Sequence, residues 1–278
     1  MDGIVVAAAL LSAALHAAWN AAVKAAPDPQ AAMAAQVVAS GIISVPVLLF
    51  LPLPSAEALP WLAASTSFNL LAMLAMVRGY TAGGGFGLVY PITRATSPLL
   101  VTLIAAVLFD EHLGPVGLAG VAFVSAGVAM FAAGDARSHP AALLAALAAG
   151  AFSAAYAVCD AQGARLSPST LGYGFAMSAV NAAMFGTVHR LRGGVPLLRA
   201  LRRHVVLASL GASGAMVSYL LILWVWSQAP VAVGAALRDT SVVFGAVIAA
   251  VVLKERVTPR RAFAIGLVAI GAAALRFA

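Results

Sequence analysis

The chain has 278 residues, 63% hydrophobic and only 9% charged, with a formal net charge of +7. Soluble domains carry about 25% charged residues, so this composition excludes a soluble globular protein. It also leaves no room for an ATP-driven domain, and no GxxxxGKS/T phosphate loop occurs.

A membrane helix needs about 20 mostly apolar residues, and ten such spans can be drawn in chain order. They cover residues 4–24, 30–52, 58–80, 85–108, 114–133, 140–160, 169–189, 204–227, 231–253 and 260–277. Each must satisfy its backbone hydrogen bonds internally, so the expected fold is an all-α integral membrane protein. Met1-Asp2-Gly3 carries no basic residue and the apolar run continues into a full span, so no cleavable signal peptide is expected. Gly83-Gly84-Gly85 lacks the rest of a dinucleotide fingerprint, since Leu88 stands where the third glycine would be, and reads as a helix connection. The single cysteine, Cys159, allows no internal disulfide and no metal cluster. No cofactor is indicated.

Span 1 carries a polar stripe of His16, Trp19, Asn20 and Lys24, which fall on one face at helical spacing. Span 4 holds Tyr90-Pro-Ile-Thr-Arg94-Ala-Thr96-Ser97-Pro98. Span 6 holds Ser153, Tyr156 and Asp160 on one face, and span 9 holds Leu237-Arg238-Asp239-Thr240-Ser241. His16-Ala-Ala-Trp19 matches Ser153-Ala-Ala-Tyr156 at an offset of 137 residues. Arg94 matches Arg238 at 144, an offset that also aligns Glu111 with Glu255, Pro115 with Pro259 and Gly127 with Gly271. The chain therefore reads as two five-helix repeats, residues 1–135 and 136–278. An odd number of spans per repeat inverts the second copy in the membrane, an arrangement that puts the substrate site near the midplane.

Intramembrane charge marks a functional site by default. Arg94 and Arg238 are candidate cations for an anionic group, the alternative being structural bonds to helix-end carbonyls or to Asp239 or Asp160. Asp239 beside Arg238, where Arg94 has Ala95, suggests a half-neutralised pair suited to a zwitterion as well as to a simple anion. Thr96, Ser97, Thr240 and Ser241 accompany the arginines. Tyr90, Trp19, Tyr156, Tyr219 and Trp224 are candidate walls, and Asn20 a polar contact. Asp160 either binds a substrate amine, carries a coupling proton or is an ordinary helix-end charge. His16 is a proton carrier or a packing histidine, and Lys24 a gating partner or a snorkelling cation.

Twelve basic residues fall on one side of the ten-span drawing, among them Arg190, Arg192, Arg199, Arg202 and Arg203 before span 8. Only Arg165 and Arg276 fall on the other. The positive-inside rule then puts both termini outside, with a basic cytoplasmic loop between spans 7 and 8. Basic residues grouped in loops serve as orientation signals, so nucleic acid is not an expected partner.

The motif set resembles the EamA-type members of the drug/metabolite transporter superfamily over essentially the whole chain. The matching residues are His16-Ala-Ala-Trp19-Asn20…Lys24, Tyr90-Pro91…Arg94…Pro98, Leu237-Arg238-Asp239-Thr240-Ser241 and Leu253-Lys-Glu255-Arg-Val-Thr-Pro259. Ala154-Ala155-Tyr156…Asp160…Gly163…Arg165 resembles one subgroup of that family. The resemblance implies a multi-pass protein of the bacterial inner membrane with a central cavity, commonly an exporter of small metabolites or amino acids. Family usage places both termini in the cytoplasm, against the loop charges.

The expectation is a secondary transporter of a small polar metabolite, amino acid or organic anion, monomeric or homodimeric in the lipid bilayer. Two rivals are a channel or structural membrane protein, and a rhomboid-like intramembrane serine protease. The protease reading rests on Gly211-Ala-Ser213-Gly214, but no histidine follows His204 to serve Ser213 as base.

Overall fold

The computed structural model describes residues 2–24, 26–132, 139–191, 193, 196–203, 205–252 and 258–277. The expected repeat junction, residues 253–257 with Glu255, and the side chain of Lys24 lie outside the described residues. So does His204.

Among the described residues every regular element is a helix: α1 (Gly3–Lys24), α2 (Pro29–Val47), α3 (Leu59–Gly79), α4 (Gly85–Phe109), α5 (Pro115–Ala129) and α6 (Pro140–Leu166). They continue with α7 (Thr170–Leu191), α8 (Leu197–Arg203), α9 (Val205–Gln228), α10 (Val231–Asp239), α11 (Ser241–Val252) and α12 (Pro259–Leu275). Proline in the first turn starts α2, α3, α5, α6 and α12, where its missing N–H costs nothing. Asp28 caps α2 through Ala31 N at 3.0 Å, and Thr258 caps α12 through Arg261 N. A π-helical turn, Tyr80–Gly84, joins α3 to α4. Its Gly83 sits at φ 90°, a left-handed conformation glycine adopts without penalty, so the triple glycine is a helix connection.

Among the described residues six stretches are long and apolar enough to cross a membrane: Gly3–Val23, Leu59–Gly84, Leu88–Phe109, Pro140–Leu166, Val205–Gln228 and Val231–Ile248. Ala31–Val47 and Pro115–Ala129 are apolar but shorter. Large apolar side chains such as Phe50, Val107 and Phe277 are 75% or more exposed, as expected where lipid rather than water surrounds the surface. Alanine, glycine and valine fill the interior and let helices approach closely.

α3 and α4 lie along α6, α1 along α9, α5 along α12 and α2 along α7; α10 packs on α4 and α1. Two serines lock α1 to α9 reciprocally: Ser12 Oγ donates to Ser218 O at 2.6 Å, and Ser218 Oγ donates to Ser12 O at 2.7 Å.

Two expectations change, while the span drawn over 231–253 stays one apolar run, Val231–Ile248, with a single-residue turn at Thr240 between α10 and α11. A separate basic helix, α8, precedes the span drawn from 204. α6 continues to Leu166, so Asp160 lies inside the helix and is 1% exposed, which removes the helix-end reading.

Candidate functional site

The polar residues of α1, α4 and α10 converge. Arg94, on α4, bonds Asp239 Oδ1 through Nη1 at 3.2 Å and His16 Nε2 through Nη2 at 3.0 Å. Its guanidinium carbon lies 5.3 Å from the Tyr90 ring centroid, one turn back on the same helix. His16 is buried and meets Trp19 edge-on at 5.3 Å, while Asn20 Nδ2 donates to His16 O at 2.7 Å. Arg94 keeps 16% of its side chain accessible.

Asp239 thus compensates Arg94 rather than its own neighbour Arg238, contrary to the sequence expectation. Successive helix residues point about 100° apart, so i and i+1 do not face each other. Arg238 has no ion-pair partner among the described residues; it lies over the Trp226 ring at 5.9 Å, and its Nε is buried without a hydrogen bond. Its charge acts on His16, Asp160, Tyr219 and Asp239. Trp226 Nε1 and Ser241 Oγ are also buried without partners among the described residues, as is Trp19 Nε1.

Asp160 occupies a cage of three hydroxyls from three helices. Oδ1 accepts from Ser65 of α3 at 2.5 Å and from Tyr173 of α7 at 3.3 Å. Oδ2 accepts from Tyr219 of α9 at 2.8 Å. An ionised carboxylate only accepts hydrogen bonds, and this cage supplies only O–H donors. The Tyr173 ring fits because Gly163, three residues past Asp160, offers it a space without a side chain.

A second ion pair joins helix ends. Arg165 Nη1 meets Glu111 Oε1 at 2.6 Å, while Arg165 Nε and Nη2 donate to Trp226 O and Ala229 O at 2.9 and 3.1 Å. Glu111 Oε2 accepts from Val231 N at 2.9 Å, capping α10. One pair thereby ties the ends of α4, α6, α9 and α10, and a carboxylate suits the positive end of α10.

The other candidates fall elsewhere. Thr96 spends its hydroxyl on Ile92 O of its own helix and packs against Gly150 of α6, and Thr240 likewise donates to Leu237 O. Ser97 is buried, and Tyr156 is half-buried one turn before Asp160. Trp224 is 36% exposed, on the opposite side of α9 from buried Trp226. Helical periodicity could have shown this: Trp226 is seven residues from Tyr219 and shares its face, whereas Trp224 does not. Ser65 and Tyr173 carried no comparable signal. Ser213 is exposed on α9. Among the described residues no three His, Cys, Asp or Glu side chains gather as a metal site.

Buried charges paired across apolar helices define a polytopic membrane protein with an ionic interior. The EamA-like transporter family model matches residues 139–277. The chain belongs to that family, and is a membrane transporter by class. A protein of known crystal structure superposes on 99% of this chain and 96% of its own, with a TM-score of 0.72 and 20% identity. That likeness concerns the fold. No curated protein matches the chain.

Proposed function

We propose that the chain is a secondary transporter that exports a small polar metabolite, amino acid or organic anion by alternating access. Its ten spans would form two inverted repeats, 1–135 and 136–278, with α7 and α12 also crossing the bilayer. The packing supports this reading. Exchanging the repeats carries the α1–α9 contact onto α6–α3 and the α1–α10 contact onto α6–α4, and returns α2–α7, α4–α10 and α5–α12 to themselves.

The observation that carries the functional reading is the asymmetry of the two arginines. Arg94 is compensated by Asp239, while Arg238 is buried without an acid partner among the described residues. Buried polar groups are nearly always hydrogen-bonded, and exceptions call for an explanation. Arg238 Nε and Trp226 Nε1 are both donors, and Arg238 is cationic, so an acceptor-rich anionic group complements them. Tyr90, Trp19, Asn20, Tyr156, Ser97 and Ser241 would complete the site, with Asp160 and His16 as candidates for proton coupling.

The test uses purified protein in liposomes and a panel of amino acids and organic acids, read as counterflow. Saturable counterflow of an anionic or zwitterionic member, lost in Arg238→Gln, is expected. Flux down a gradient without saturation or counterflow would establish a channel instead.

A further inference from the structure

α2 and α7 enclose a groove of about 560 Å³ on the outside of the molecule, lined by Val38, Ile42 and Val45 on one side and Ala179 and Ala183 on the other. Ile42 and Val45 are 57% and 59% exposed, so the groove opens outward rather than to the ionic interior. Its floor is narrow because Gly41 meets Ala182 closely. Apart from Thr187, whose hydroxyl is turned onto Ala183 O of its own helix, the lining is apolar up to Arg190.

Two observations say what covers it. Ala179 and Arg190 lie eleven positions apart on α7, or about 16 Å at the helical rise. One leaflet of hydrocarbon is about 15 Å deep, so an acyl chain matches the groove in length, with Arg190 at headgroup level. The second observation is charge. Arg190 is exposed, and α8 begins with Leu197, which lines the same groove, and carries exposed Arg199 and Arg202. No Asp or Glu occurs between Asp160 and Asp239, so these cations have no acid on their own stretch of chain. Basic pockets between membrane helices attract anionic headgroups.

We propose that this groove is a binding site for one anionic phospholipid, its acyl chain between α2 and α7 and its phosphate on Arg190, the basic residue that lines it. The site is separate from the ionic centre and does not depend on the transport reading.

The test is native mass spectrometry of the full chain, purified in detergent and exposed to equal phosphatidylglycerol and phosphatidylcholine. Wild type is expected to retain phosphatidylglycerol preferentially. Arg190→Gln should weaken that retention about fivefold, the equivalent of the roughly 1 kcal/mol a basic residue contributes beside anionic lipid. Arg190→Lys should keep the preference, and Ala183→Phe, which fills the groove, should lose both lipids. Should Ala183→Phe fail to fold, judged by size exclusion, the Gln and Lys variants still decide. Equal retention of the two lipids by wild type, or unchanged retention in Arg190→Gln, overturns the proposal. So does displacement of the lipid by free glycerol phosphate, which would mark a phosphate site alone. A wild-type dimer that Ala183→Phe splits, with lipid retention unchanged, would make the groove an interface between copies and overturn it too.

Discussion

Arg94 and Asp239 form an ion pair at 3.2 Å across 145 residues of sequence, each contributed by a different arginine-bearing segment. Removing one partner of a buried pair strands the other charge, at a cost of roughly 3–5 kcal/mol, whereas replacing both by apolar residues is often near neutral. Arg94→Met and Asp239→Leu should each lower the thermal midpoint of the detergent-solubilised protein sharply, and the double variant should recover much of the loss. Additive losses in that cycle would mean that the two residues are not coupled.

The helical class, the intramembrane arginines and the acidic residue at 160 could all be read from the chain, because each depends on local composition and spacing. Which arginine the acid serves could not, because adjacency in sequence is not adjacency on a helix face. Asp239 and Arg238 are neighbours that point apart, and the partner is fixed only when α10 packs on α4. The cage of Asp160 was hidden for the same reason: Ser65, Tyr173 and Tyr219 come from three helices and are ordinary membrane-helix residues until packed.

Gly127 of α5 and Gly271 of α12 are reciprocal. A β-carbon at Gly127 would lie 2.9 Å from Ala264 O and 3.1 Å from Val268 N. One at Gly271 would lie 2.8 Å from Gly120 O and 2.8 Å from Val124 N. Each of these positions maps onto the other set by the same 144-residue offset, as at a twofold interface. Gly127→Val and Gly271→Val should therefore destabilise to a similar degree, by roughly 1–3 kcal/mol for overpacking. Gly266→Ala on α12, with nothing within 4 Å, should be tolerated. Thermal midpoints in detergent decide; a large effect of one glycine and none of the other would contradict a twofold crossing.

Arg165 holds Glu111 and two carbonyls at once through a planar fork. A lysine can keep the charge pair but cannot reproduce that fork. Arg165→Lys should lose part of the stability that Arg165→Ala loses entirely, with Glu111→Gln intermediate. Equal midpoints for Arg165→Lys and wild type would show that the contacts to Trp226 O and Ala229 O contribute little.

The loop charges predict that both termini face away from the cytoplasm, since the basic residues of the α7–α8 segment are expected inside. A C-terminal alkaline phosphatase fusion should then be active and a C-terminal GFP fusion dark. The opposite pattern reverses the orientation and makes the α7–α8 segment external.

Asp160 offers a way to separate charge from hydrogen bonding. Alanine there would leave the hydroxyls of Ser65, Tyr173 and Tyr219 without their acceptor inside the protein, at a cost of about 1–3 kcal/mol for each group left unsatisfied. Asparagine keeps an acceptor oxygen, and because a hydroxyl can both donate and accept, the cage can turn to meet its amide. Asp160→Asn should therefore fold nearly as well as wild type, while Asp160→Ala should be markedly less stable. The asparagine also removes a group that can take up and release a proton. If Asp160 carries the coupling proton, Asp160→Asn retains substrate counterflow at equal pH on both sides but loses accumulation driven by an imposed proton gradient. Loss of both activities in a well-folded Asp160→Asn would instead put the carboxylate in contact with substrate. Retention of gradient-driven accumulation would leave it the structural role of holding α3, α7 and α9 to α6.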